Sequence, residues 1–366
     1  MKERMISQDI GKGIGILVVI LTHTIQANRI LGSVMAILFG YIMPYYMFMA
    51  GYNYHPNGLT PWQNIKKRNI KIFKAMIISS LIIGVIMGAY FLIRNEATLY
   101  ELIRSYGVFL ISKWGAKSLF GITLPQIHYQ RLLGPYWFLQ FLMVANVFFY
   151  LFVDKATKSV KSLTSYTILL SGISVLLIEY GVVLPWGIQN APAIASVMIL
   201  GVWFKKQELL STENTNTKFV IINCVICLLT IALIQLNYNG AGYVAAGALG
   251  EVCGGAEIYL FIVISIIGSY FLINFSNVIK KVPVLSDILI WFGRHTLLIL
   301  LSHITIVHIL KDIFGLPQFN AAEQLFVDKM DLRTIPIYFL TLIIDYFFVI
   351  FVEKLVNRFK KARKLI

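Results

Sequence analysis

Charge is what this sequence has least of. Only 13% of its 366 residues are Asp, Glu, Lys or Arg, about half the share of an ordinary soluble domain. Acidic residues are the scarcest, 17 against 32 basic ones. No water-facing surface can be assembled from this mixture, and the 58% hydrophobic fraction with a mean hydropathy of +0.75 says the same. Two soluble domains, which length alone suggests, are thereby excluded. The three cysteines, Cys224, Cys227 and Cys253, lack the spacing of a zinc site or a disulfide framework. They read as small core residues, and no metal is expected. Repeats and low-complexity tracts are also lacking.

What is present is a series of long apolar runs. Stretches of about 20 mostly apolar residues fall at 9–26, 34–54, 72–93, 136–153, 163–184, 191–204, 219–236, 254–275, 285–310 and 335–351. Hydrocarbon offers backbone groups no partner, so each run must be a helix unless a barrel closes, and no barrel-like alternation appears. The expected fold is all-α: a single membrane domain over residues 1–366, about ten transmembrane helices, and no separate soluble domain. The 94–135 connection mixes Trp114, Leu119, Phe120 and Leu124 with charge, which predicts a folded or re-entrant segment. Thr24-Ile25-Gln26-Ala27 lacks a small–x–small cleavage pattern, so the first run is expected to stay as a span.

The net charge of +15 is read as topology, not as a nucleic-acid footprint. Alternate connections hold 21 and nine of the basic residues, and Lys12 and Arg294 fall inside spans. The richer set includes both ends of the chain, which places both termini in the cytoplasm.

Ionisable groups inside spans need a reason, because each costs at least about 2.5–3.5 kcal/mol near the bilayer centre. The first span carries Asp9, Lys12 and His23, with glycines at 11, 13 and 15. Lys12 and His23 are eleven residues apart, nearly three full turns at about 100° per residue, so they share a face roughly 16 Å apart in depth. Asp9, three residues before Lys12, is placed to pair with it. A neutral imidazole buried there is a candidate general base. The glycines leave room for a second helix or a ligand. In the basic stretch 66–74, read as a loop, Arg68 and Lys71 would share one face if helical and could hold a phosphorylated cytosolic ligand. Elsewhere this stretch reads as topology and contact with anionic lipid. Arg294 and Asp345 lie at similar depths in the last two spans and are expected to pair. His303 reaches the depth of His23, so the two are expected to face one cavity. Tyr136 and Trp137 open the fourth span after Pro135, where an aromatic belt explains them.

In order along the chain, four segments also resemble acyltransferase family 3, the bacterial integral-membrane O-acyltransferases that modify cell-surface glycans. They are Asp9–Lys12 through His23; Phe48-Met-Ala-Gly51-Tyr52 with the 66–74 stretch; Pro135-Tyr136-Trp137-Phe138-Leu139; and Phe292-Gly293-Arg294-His295-Thr296-Leu297 leading to His303. Lys71 stands where that family usually has Arg, and Thr296 where Ser is common. The resemblance implies transfer of an acyl group, acetyl foremost, from cytosolic acyl-CoA to a hydroxyl of a glycan or lipid-linked sugar in the bacterial inner membrane. Acetyl-CoA would be the donor, with its phosphates on Arg68, Lys71 and Lys12. Its pantetheine arm would run along the glycine stripe towards His23. A transporter or flippase for a small polar solute or lipid-linked sugar would use the same polar stripe without consuming acyl-CoA. A non-catalytic partner of an external enzyme would tolerate changes at Lys12 and His23.

Overall fold

The computed structural model describes residues 6–26, 29–111, 118–119, 122–123, 136–180, 184–210, 217–237, 255–317 and 330–362. The helices are α1 (Ile6–Thr24), α2 (Arg29–Tyr52), α3 (Pro61–Ile93), α4 (Leu99–Ile111), α5 (Tyr136–Ala156), α6 (Val160–Glu179), α7 (Ala191–Lys206), α8 (Thr217–Asn237), α9 (Gly255–Ile279), α10 (Pro283–Ile313) and α11 (Thr334–Ala362). Nine of them are long and apolar enough to cross a membrane, among the described residues. The apolar part of α8, Thr217–Leu233, is shorter and accounts for the tenth expected span. The only strands described are the two-residue pair Ser118–Leu119 and Ile122–Thr123. The all-α bundle is as the apolar runs require.

One departure has a local cause. The basic stretch expected as a loop is helical, because α3 starts eleven residues before the apolar run at Ile72. Thr60 caps it: the Gln63 amide donates to Thr60 Oγ1, the Thr60 amide donates to Gln63 Oε1, and Pro61 fills the first turn. That signal was legible in Thr60-Pro61-Trp62-Gln63. The 94–135 connection contains a true helix, α4, whose first turn is held by Thr98 and Glu101.

α2 lies at the centre and touches α1, α7 and α9. Its Tyr41, Tyr45 and Phe48 are fully buried with Phe141 and Phe149 of α5 and Phe261 of α9. At the α2–α7 crossing each helix brings a glycine, Gly51 against the Met198 carbonyl and Gly201 against the Phe48 carbonyl. A side chain at either would push the backbones apart. The outside is as apolar as the inside: Ile78, Leu81, Ile82 and Val85 of α3, Ile221, Ile222 and Val225 of α8, and Phe339, Ile343 and Phe347 of α11 are exposed. Such a surface requires lipid around it.

Candidate functional site

α1 packs more extensively on α10 than on any other helix. Gly13 sits on the Leu289 backbone and Gly293 on the Asp9 backbone, so the two helices meet main chain to main chain. The stripe of glycines is therefore filled by protein. Gly11 and Gly15 face the hydroxyls of Tyr45 and Tyr46 from α2. Those hydroxyls donate to the carbonyls of Gln8 (3.3 Å) and Lys12 (2.8 Å). The expected channel for a pantetheine arm along these glycines is thus occupied by two tyrosines and Leu289.

At the N-terminal end of this seam, Asp9 is buried at 1% exposure and its Oδ2 lies 3.3 Å from Arg294 Nε. Arg294 is about half exposed, at 53%. The expected partner of Arg294 was Asp345, and that pairing is not what forms. Asp345, fully buried on α11, instead accepts a 2.5 Å hydrogen bond from Ser302 Oγ of α10. Depth alone suggested the Arg294–Asp345 pair. The close α1–α10 approach puts Asp9 beside Arg294 first, since Gly293 lets α1 come within main-chain contact one residue away. Lys12, one turn along α1, is half-buried.

At the C-terminal end of α1, the rings of His23 and His303 stand 5.5 Å apart, tilted by 51°. The two histidines expected to face one cavity are thus ring neighbours. His23 is flanked by Thr22 and Thr24, whose hydroxyls donate back to Val19 and Ile20 carbonyls of their own helix. Those hydroxyls are spent locally, so the imidazole is the group offered to the interior. His303 is fully buried, and its Nδ1 lies 2.9 Å from the Ile299 carbonyl oxygen. A carbonyl only accepts, so Nδ1 carries the proton and Nε2 presents its lone pair. Nε2 has no hydrogen-bond partner among the described residues. A buried acceptor left so costs free energy until a donor arrives.

One residue of this end was missed. The ninth apolar run stops at residue 310 and leaves Lys311 to the connection after it, but α10 continues to Ile313 and Lys311 lies inside the bundle at 1% exposure. Its Nζ donates to the His23 carbonyl at 3.1 Å. The signal available was spacing: Lys311 follows His303 by eight residues, with Val307 and Leu310 between, the pattern of one broad helix face.

Arg68 and Lys71 lie on α3, exposed and one turn apart. Tyr150 of α5 lies within electrostatic reach of Arg68. Tyr136 and Trp137 open α5, and their side chains lie outside the described residues.

Fold and seam together define an integral-membrane protein whose helix bundle buries a few ionisable residues, Asp9, His303, Lys311 and Asp345. The chain matches the acyltransferase domain of the acyltransferase 3 family over residues 6–352, nearly its whole length, and belongs to that family. No curated protein and no solved structure matches it.

Proposed function

We propose that this membrane acyltransferase moves an acetyl group from cytosolic acetyl-CoA to a hydroxyl of a cell-surface or lipid-linked glycan, with His23 as the general base. It would act in the bacterial cytoplasmic membrane with both termini in the cytoplasm. The observation that carries the reading is the His23–His303 pair, two imidazoles 5.5 Å apart inside the bundle of an acyltransferase-family protein. The transfer needs one group able to take a proton, and an imidazole is the usual choice.

The step balances as follows. The acceptor hydroxyl oxygen bonds to the thioester carbonyl carbon while its proton passes to His23. The carbon–sulfur bond then breaks, coenzyme A leaves as thiolate, and the proton returns to give the free thiol. His303 Nε2, an acceptor beside His23, offers the proton a second resting place. Arg68 and Lys71 would hold the donor phosphates by charge-assisted contacts. Lys12, roughly 16 Å from His23 along the helix, marks the cytoplasmic end of the path. Since tyrosines fill the glycine stripe, the arm of the donor must pass elsewhere on the α1 surface.

The test is direct. Purified protein with acetyl-CoA and solubilised cell-envelope glycan should release free thiol and add 42 daltons, the mass of one acetyl exchange, roughly as acyl-transfer stoichiometry requires. His23→Ala should cut the rate by about 10²–10⁴-fold with expression and melting temperature retained. A wild-type rate in that variant removes His23 from the base role. A protein that moves solute across vesicles and releases no thiol is a transporter instead.

A further inference from the structure

Lys311 raises a question that the base role of His23 does not answer: why an ammonium is kept at 1% exposure in a bundle surrounded by lipid. Its contact explains it. α1 ends at Thr24, and the last four carbonyls of any helix lack intrahelical partners and carry the negative end of the dipole. The His23 carbonyl is one of these, and Lys311 Nζ donates to it at 3.1 Å. Three residues after His23, the Gln26 amide donates to Thr334 Oγ1 of α11 at 3.4 Å. The last turn of α1 is thereby tied to both α10 and α11.

α10 also touches His23 at a second point. His303, two turns before Lys311, sets its ring against the His23 ring. One helix thus holds the same residue twice, by its side chain and by its main chain. His303 and Lys311 are eight positions apart on continuous α-helix, so their backbones are held about 12 Å apart along the axis by the helix rise.

We propose that Lys311 is a positioning residue: it caps α1 at the His23 carbonyl and so fixes the depth and direction of the His23 imidazole against His303. This rests on the reading of His23 as the general base. An effect through position falls on the chemical step, because a displacement of about 1 Å costs up to 100-fold in rate while substrate contacts remain.

The experiment uses the full chain in detergent, wild type beside Lys311→Met, which keeps the length of the side chain without the donor, and Lys311→Arg, which keeps a donor and the charge. Two quantities are read: kcat and KM for acetyl-CoA from thiol release, and amide hydrogen exchange of the 20–26 segment by mass spectrometry. Expected for Lys311→Met is a kcat lower by about 10- to 100-fold, KM within twofold, and faster exchange confined to that segment. Lys311→Arg should recover most of both, and it carries the test if the Met variant does not fold. Wild-type kcat and exchange in Lys311→Met overturn the proposal. So does a loss of kcat with unchanged exchange, which would put Lys311 in the chemistry, or a change in KM alone, which would make it a donor-binding group. If wild-type protein releases no thiol from acetyl-CoA, the transferase reading fails, and the exchange data still decide whether Lys311 holds α1.

Discussion

The two ends of the α1–α10 seam handle charge in opposite ways. At the N-terminal end a buried carboxylate, Asp9, meets a guanidinium that is half exposed, Arg294. At the C-terminal end the imidazole of His303 and the ammonium of Lys311 are both buried, and each donates to a backbone carbonyl, Ile299 and His23 respectively. The first arrangement is an ion pair between two side chains, one of them half exposed. The second uses main-chain dipoles, which are fixed in place by the helices themselves. Groups held by fixed dipoles do not reorganise when a reaction moves charge nearby, which is the property a catalytic centre needs. An exposed pair suits a structural latch or an entrance.

The largest expected effect comes from parting the helices and so removing both ends at once. Gly293 meets the Asp9 main chain and Gly13 the Leu289 main chain, so Gly293→Leu drives α1 off α10. We expect a stability loss of about 1–3 kcal/mol from overpacking alone, seen as a lower melting temperature in detergent, together with loss of transfer. Gly172, with nothing within 4 Å, is the control: Gly172→Ala should hold or slightly raise stability, by up to about 1 kcal/mol from helix propensity. Equal melting for Gly293→Leu and wild type would mean that the close approach is not what orders the seam.

A smaller effect separates the ends. Arg294→Gln removes a charged partner of the buried Asp9 carboxylate and should cost about 1–3 kcal/mol, while Asp9→Asn with Arg294→Gln should cost less than the sum. A coupling of roughly 0.5–3 kcal/mol is expected for contacting residues, and additivity within about 0.5 kcal/mol for distant ones. Arg294→Gln and Asp345→Asn should therefore add. Coupling between Arg294 and Asp345, with none between Arg294 and Asp9, would restore the pairing expected from depth and reject the one described here.

That exchange of partners shows what the sequence can convey and what it cannot. Helix count and bundle class follow from composition, because hydrocarbon leaves the backbone no alternative to helices. The His23–His303 meeting was legible too, as two intramembrane histidines at matched depth. Partner choice was not, because depth is one coordinate and the lateral approach of helices is another. The latter is set here by Gly13 and Gly293, whose missing side chains bring Asp9 to Arg294. Lys311 was lost for a different reason. A lysine at the end of an apolar run looks like an interfacial cation, and only the extension of α10 to Ile313 puts it inside.

The smallest effect tests the contrast between buried and exposed charge, at the exposed basic face of α3. If Arg68 and Lys71 hold donor phosphates there, they do so in high dielectric, where an ion pair is worth about 0.2–1 kcal/mol. Each change to Gln should then raise the KM for acetyl-CoA about two- to fivefold and leave kcat alone. Raising salt from 0.05 M to 0.5 M should shrink the difference between variant and wild type, since screening at a Debye length below about 10 Å removes what the side chains supplied. Lys280, equally exposed at the end of α9, should have no effect on KM when changed to Gln. The His23 variant should show the reverse signature, lost kcat with salt-insensitive KM, because it alters the base and leaves the phosphate contacts in place. A double Arg68/Lys71 variant with unaltered KM at low salt would leave that face only its topological and lipid-binding roles. The basic residues would then divide by burial, those inside acting on the chemistry and those outside fixing the chain in its membrane.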